Sequence, residues 1–85
     1  MKKQIAILGS TGSIGKTLLK IIDKEKKKFE IILLSADKNY NGLLKQVKKY
    51  KVRNIIITNK KSFEILKNKL KENKSIKLFN NYKSL

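Results

Sequence analysis

Cysteine and histidine are both absent from these 85 residues. With them go disulfides, thiol nucleophiles and any metal site built on sulfur or imidazole. Acidic residues are scarce, six against 22 lysines and arginines. No apolar run comes near the ~20 residues that span a bilayer. The Lys2-Lys3 start leads only into a strand-length apolar stretch and then Gly-Ser-Thr-Gly, a poor signal peptide. A chain of this length forms at most one small domain and buries only ~60–65% of its unfolded surface. The chemistry that remains is that of backbone amides, hydroxyls, lysines and a few carboxylates. A soluble, cytoplasmic protein is the expectation.

The imbalance of charge gives a formal +16, which ordinarily points to nucleic acid or an anionic surface. Arginine is nearly missing, however: Arg53 is the sole one. Nucleic-acid modules add arginine forks and exposed stacking aromatics, whereas Phe29, Phe63 and Phe79 sit in apolar patterns. The excess of Lys, Asn and Ile reads as compositional bias, and the lysines as a solvated surface. Neither nucleic acid nor membrane is expected as a partner.

What is present is an alternation of short apolar runs with amphipathic stretches. Gln4–Leu8 is almost wholly apolar, as in a parallel strand covered on both faces. Ile14, Leu18, Ile21 and Ile22 then repeat at helical spacing, with Ser13 as the expected N-cap. Phe29–Ser35 is a second strand, followed by the turn-like Asp37-Lys38-Asn39. A second helix carries Leu43, Leu44, Val47 and Tyr50, capped by Asn39 or Asn41. Asn54–Thr58 is a third strand, and Phe63, Leu66 and Leu70 mark a third helix ending near Asn73. Ser75–Phe79 is a fourth strand, and Asn80–Leu85 shows no period. This β-α-β-α-β-α-β order predicts an α/β fold, part of a Rossmann-like doubly wound parallel sheet with right-handed crossovers.

The richest chemistry lies in the turn after the first strand, Gly9-Ser10-Thr11-Gly12-Ser13-Ile14-Gly15. A strand, a glycine-rich turn and a helix bring backbone N–H groups and a positive helix end up to a pyrophosphate. Gly15-Lys16-Thr17 also ends like a P-loop, G-x-x-x-x-G-K-[ST], but the required first glycine falls on Ser10, and Gly9 is one place early. A P-loop further needs a magnesium-binding aspartate after a later strand, and Asp37 is the only one on offer. A ligand-free glycine turn is the blandest reading. The spacing G-x-x-G-x-x-G by itself denotes a nicotinamide-dinucleotide domain.

Discrimination between the two nicotinamide cofactors lies after the second strand, where an acidic residue on the ribose 2′-OH marks NAD enzymes. Ser35 is read as occupying that place, with Lys38 and Asn39 close behind to meet a 2′-phosphate. NADPH is the better fit. Asp37 opposes it wherever its carboxylate points inward.

Gly9–Gly15 after Ile-Ala-Ile-Leu, joined to Phe29–Asn39 with its Ala-Asp-Lys-Asn ending, resembles the N-terminus of the 1-deoxy-D-xylulose 5-phosphate reductoisomerase family. The similarity runs on through the second helix and Asn54-Ile55-Ile56-Ile57. It implies an NADPH-dependent enzyme that also needs a divalent metal, Mg or Mn. Such enzymes convert 1-deoxy-D-xylulose 5-phosphate to 2-C-methyl-D-erythritol 4-phosphate in non-mevalonate isoprenoid synthesis. By the resemblance, Thr11, Gly12, Ser13 and Ile14 hold the pyrophosphate side of the cofactor. Lys38 and Asn39 line the 2′-phosphate region, beside Asp37, where the family often has glycine. Residues 1–80 are then the N-terminal part of the NADPH-binding domain and 81–85 a truncated tail. Catalytic residues, metal ligands and the sugar-phosphate site are expected outside this chain, and a homodimer is expected of the full-length enzyme. Alternatives are another NAD(P)-dependent oxidoreductase, such as a semialdehyde dehydrogenase, or a lysine-rich nucleic-acid-binding module.

Overall fold

The computed structural model describes residues 2–84. Four strands alternate with three helices: β1 (Lys3–Ile7), α1 (Ser13–Asp23), β2 (Phe29–Ala36), α2 (Tyr40–Tyr50), β3 (Asn54–Ile57), α3 (Lys60–Lys69) and β4 (Lys77–Phe79). A single 3-10 turn, Tyr82–Ser84, follows. The sheet runs β1-β2-β3-β4 with every neighbouring pair parallel. Parallel neighbours require crossovers, and each helix supplies one. The expected α/β, Rossmann-like order is the observed one.

One core joins the helices to the sheet. Leu34, Ala36, Ile55 and Ile57 alternate along β2 and β3, and against them pack Leu19 of α1, Leu43 and Val47 of α2 and Leu66 of α3. Residues two apart on a strand share a face, so these four define the helix-bearing side. Leu33, Ser35 and Ile56 point to the other side and are also buried. There the segment after β4 folds back: Tyr82 donates its hydroxyl to Ser35 Oγ at 3.1 Å, and Asn80 Nδ2 donates to Ile57 O at 3.1 Å. β2 carries one extra residue opposite β1, since Ile5 pairs Ile31 while Ala6 pairs Leu33. The skipped Ile32 still has its carbonyl met, by Asn54 Nδ2 at 3.2 Å.

Besides element ends, where α3 stops at Lys69 rather than near Asn73 and β4 starts at Lys77 rather than Ser75, two details of packing differ from the sequence pattern. β1 forms the sheet edge, and it is covered on one face only: Ile5 and Ile7 join the core, while Ala6 and Leu8 are exposed. In α1 the core stripe is Gly15, Leu19 and Ile22, whereas Ile14, Leu18 and Ile21 form a second, exposed stripe. Gly15 sets this rotation. A Cβ there would collide with Gly9 O and stand 2.6 Å from Ser10 Cα, so only the glycine face of α1 lies flat against the turn. Among the described residues, no helix is long and apolar enough to cross a membrane.

Candidate functional site

In a parallel sheet every strand ends at one edge, and here the helices start from that edge. Ligand sites of open α/β sheets lie outside the carboxyl ends of the strands. Both sequence-predicted segments are there, Gly9–Gly15 after β1 and Asp37-Lys38-Asn39 after β2.

The glycine turn is held by its own backbone and by β2. Gly9 has φ +64°, a left-handed conformation that glycine adopts without strain. Gly12 N donates to Gly9 O at 3.1 Å, Gly9 N to Ser35 Oγ at 3.1 Å, and Ser10 N to Ser35 O at 2.8 Å. Gln46 of α2 adds a third hold, its Nε2 donating to Ser10 O at 2.8 Å. Ser35 is therefore a fixture of the turn and not a ribose contact: it is fully buried and engaged by Gly9, Ser10 and Tyr82. β2 runs on to Ala36, and Asp37 is the first residue beyond it.

Ser13 is not the N-cap. The helix starts at Ser13, and Gly12 caps it with no side chain to offer. Lys16 N is the first amide with a helical acceptor, Gly12 O at 2.9 Å. The N–H groups of Ser13, Ile14 and Gly15 have no acceptor among the described residues. Gly12 itself sits at φ −77°, ψ 171°, open to any residue, and a Cβ there would only touch Gly9 O at 3.4 Å. Neither backbone nor packing within the chain requires glycine at 12. Open amides and a bare approach are what an anion needs at a helix start. Thr11 is partly buried, and Ser13 and Ile14 are exposed.

The second segment is built from behind by β3 and α3. Asn59 N donates to Asp37 O at 2.9 Å, Ser62 Oγ to Lys38 O at 2.9 Å, and Tyr40 N to the same Lys38 O at 2.8 Å. Asp37 Oδ1 accepts from Thr58 Oγ1 at 2.6 Å. Asn39 caps α2, its Oδ1 accepting from Gly42 N at 2.9 Å. The backbone is thus fixed while the Lys38 side chain stays exposed.

Positive charge surrounds both segments. A groove of about 420 Å³ between α1 and α2 is lined by Lys16, Lys20, Lys45 and Lys49 along with Asn39 and Gln46. Among the described residues, ion pairs are confined to Lys26–Asp23 and Lys28–Glu25, on the connection before β2. None of the four groove lysines is in an ion pair among the described residues, and Lys49 Nζ lies 5.4 Å from the centre of the Tyr50 ring. No group of three His, Cys, Asp or Glu side chains suited to a metal exists among the described residues.

Sequence reasoning found the two segments and missed their supports: Gln46, Thr58, Ser62 and Tyr82. No local pattern marks these residues, because each acts across 21 or more positions of chain.

A family model described as 1-deoxy-D-xylulose 5-phosphate reductoisomerase matches residues 5–85. The enzyme of that name from Pelagibacter ubique (strain HTCC1062) is 53% identical over 83 residues, 98% of this chain and 21% of that protein. The one from Buchnera aphidicola subsp. Schizaphis graminum (strain Sg) is 43% identical over 72 residues, 85% of this chain and 18% of its own length. A solved structure of the reductoisomerase from Zymomonas mobilis in complex with NADPH superposes with a TM-score of 0.81 at 25% identity, over 93% of this chain and 21% of that one. A DOX-P reductoisomerase solved with NADPH, fosmidomycin and magnesium shares the fold, with a TM-score of 0.85 at 23% identity over 96% and 20% of the two chains. The chain spans about a fifth of the length of the relatives it matches.

Proposed function

The chain belongs to the 1-deoxy-D-xylulose 5-phosphate reductoisomerase family, and from that membership we propose that residues 1–80 are the N-terminal part of an NADPH-binding domain. The observation that carries this reading is the start of α1, where three amides lack acceptors behind a glycine that the fold does not demand. Thr11, Gly12, Ser13 and Ile14 hold the pyrophosphate, the helix end supplying partial positive charge. Lys38 meets the 2′-phosphate, with Asn39 Nδ2 beside it and Asp37 turned aside. NADPH, once bound, supplies the hydride. This chain's part is to bind and orient it.

In the full-length enzyme the reaction is conversion of 1-deoxy-D-xylulose 5-phosphate to 2-C-methyl-D-erythritol 4-phosphate. The sugar-phosphate site and the ligands of its Mg or Mn lie outside these residues. The reading has the enzyme working in the cytoplasm as a homodimer, without nucleic acid or membrane as partner. The single arginine in a chain of +16 supports the exclusion of nucleic acid.

Fluorescence titration of the full-length protein with each reduced cofactor tests the reading. NADPH is expected to bind more tightly than NADH. Lys38→Ala should weaken NADPH about tenfold, the scale of a charge-assisted hydrogen bond at an exposed site, and leave NADH nearly unchanged. Equal losses for the two cofactors refute the 2′-phosphate role of Lys38.

A further inference from the structure

The acid that opposes a 2′-phosphate is present in this chain, and something restrains it. β2 ends at Ala36, which puts Asp37 where an acidic side chain would accept the ribose 2′-OH of NAD and repel the phosphate of NADPH. Its Oδ1 instead accepts a 2.6 Å hydrogen bond from Thr58 Oγ1. Thr58 follows β3, and β3 pairs with β2 on the edge away from β1, whose end carries the glycine turn. Backbone bonds fix the partners in place, Thr58 N to Ala36 O at 3.1 Å and Asn59 N to Asp37 O at 2.9 Å. The loop behind Lys38 is tied to the same unit by Ser62.

Resting on the NADPH reading above, we propose that Thr58 is a positioning residue for cofactor choice. Its hydroxyl holds the Asp37 carboxylate on the β3 side, away from the glycine turn, so that Lys38 and Asn39 face the 2′-phosphate with no opposing charge between them. Aspartate at 37 is then compatible with NADPH because threonine stands at 58. Without that hydroxyl the carboxylate rotates toward the cofactor, where it repels a phosphate and welcomes a ribose hydroxyl.

The test is titration of the full-length protein and its variants with NADPH and NADH. Thr58→Val removes the hydroxyl and keeps the shape. It should weaken NADPH about three- to tenfold, the scale of one net hydrogen bond, and leave NADH unchanged or tighter. Thr58→Ser should retain the original preference. Adding Asp37→Asn to Thr58→Val should restore NADPH binding, a rescue that a purely structural role for Thr58 does not predict. Asp37→Asn alone should leave NADPH as tight or tighter, since it removes a nearby negative charge without freeing one to turn inward. Weaker NADPH binding in that variant counts against the proposal. Equal weakening of both cofactors by Thr58→Val, or no rescue by Asp37→Asn, overturns the proposal and leaves the NADPH reading standing. Should the unaltered protein bind neither cofactor, or bind both alike, the reading falls and the proposal with it.

Discussion

At α2 and α3 an asparagine closes the helix start, Asn39 Oδ1 on Gly42 N at 2.9 Å and Asn59 Oδ1 on Ser62 N at 3.0 Å. α1 begins at the same edge of the same sheet with Gly12 and no side-chain cap. It leaves three first-turn amides without acceptors, against two in α3 and one in α2. None of the three helices has an acidic residue in its first turn, so none neutralises its own positive end. Two starts are closed by a side chain, and one is left open. An N-cap side chain contributes about 0.5–2 kcal/mol against alanine and only about a few tenths against glycine. Its omission at α1 leaves the first amides to solvent or to an outside anion.

The largest break in this comparison is expected at Gly15. Alanine is favoured over glycine inside a helix by about 0.8–1 kcal/mol, yet here its Cβ meets rigid backbone at Gly9 and Ser10. Overpacking of this kind costs about 1–3 kcal/mol, and backbone cannot give way as the tip of a long side chain can. Gly15→Ala should lower the urea midpoint of the full-length protein with an unchanged slope and also weaken cofactor binding. A midpoint that rises shows that propensity wins and that α1 is not held by this contact.

Gly12→Asn should separate stability from function. The backbone at 12 already has the extended geometry of a cap, so asparagine there can do what Asn39 and Asn59 do. Stability should rise by only about a few tenths of a kcal/mol, the difference between asparagine and glycine at a cap, while NADPH binding falls at least about tenfold as the new side chain takes an amide and the pyrophosphate's space. Unchanged cofactor affinity in this variant removes the open helix start from the site.

Only part of this contrast was legible in the sequence: Ser13 has the look of a cap for α1, yet Gly12 stands in that place, and Asn59 is not among the expected caps, though it closes α3. The glycine turn, each strand or helix taken singly, and an asparagine, 39 or 41, as the cap of α2 all follow from neighbours along the chain. What was not legible depends on register. Ile14, Leu18 and Ile21 have the spacing of a core stripe, and so do Gly15, Leu19 and Ile22. Only the collision of a Cβ with the preceding turn decides between them. Ser35 has the look of a cofactor contact at the end of the second strand, but β2 runs one residue further, to Ala36, and Ser35 is fully buried beneath the turn. Thr58 and Ser62 reach back across 21 and 24 positions to hold Asp37 and Lys38. A parallel sheet makes all its pairings at long range, so its site is assembled from residues that no window of sequence shows together.

A smaller effect tests the finished side of the comparison. Asn59→Ala should cost about 1 kcal/mol, the usual loss of a side-chain cap, and Asn59→Gly only a few tenths. Urea unfolding of the two variants checks the order. Cofactor affinity should hold in both, because Asn59 contributes only its backbone to the loop at Asp37. Loss of affinity in Asn59→Gly would make the α3 start part of the site.

The smallest change is electrostatic. α3 opens with Lys60 and Lys61, cations beside the positive end of their own helix. Lys61→Glu exchanges a repulsive charge for an attractive one, worth about 0.3–1 kcal/mol at low ionic strength. Exposed at the surface, the pair is screened within a Debye length of about 10 Å at 0.1 M salt. The gain should therefore shrink as salt is added, and urea midpoints at two salt concentrations read it directly. A carboxylate placed likewise in α1, as Ser13→Glu, should give a comparable gain but compete with the pyrophosphate for the same amides. A gain at both helices with cofactor affinity untouched would mean that the two starts differ only in how they are capped. A gain at both with affinity lost only in Ser13→Glu would mean that the first start is kept positive for its ligand.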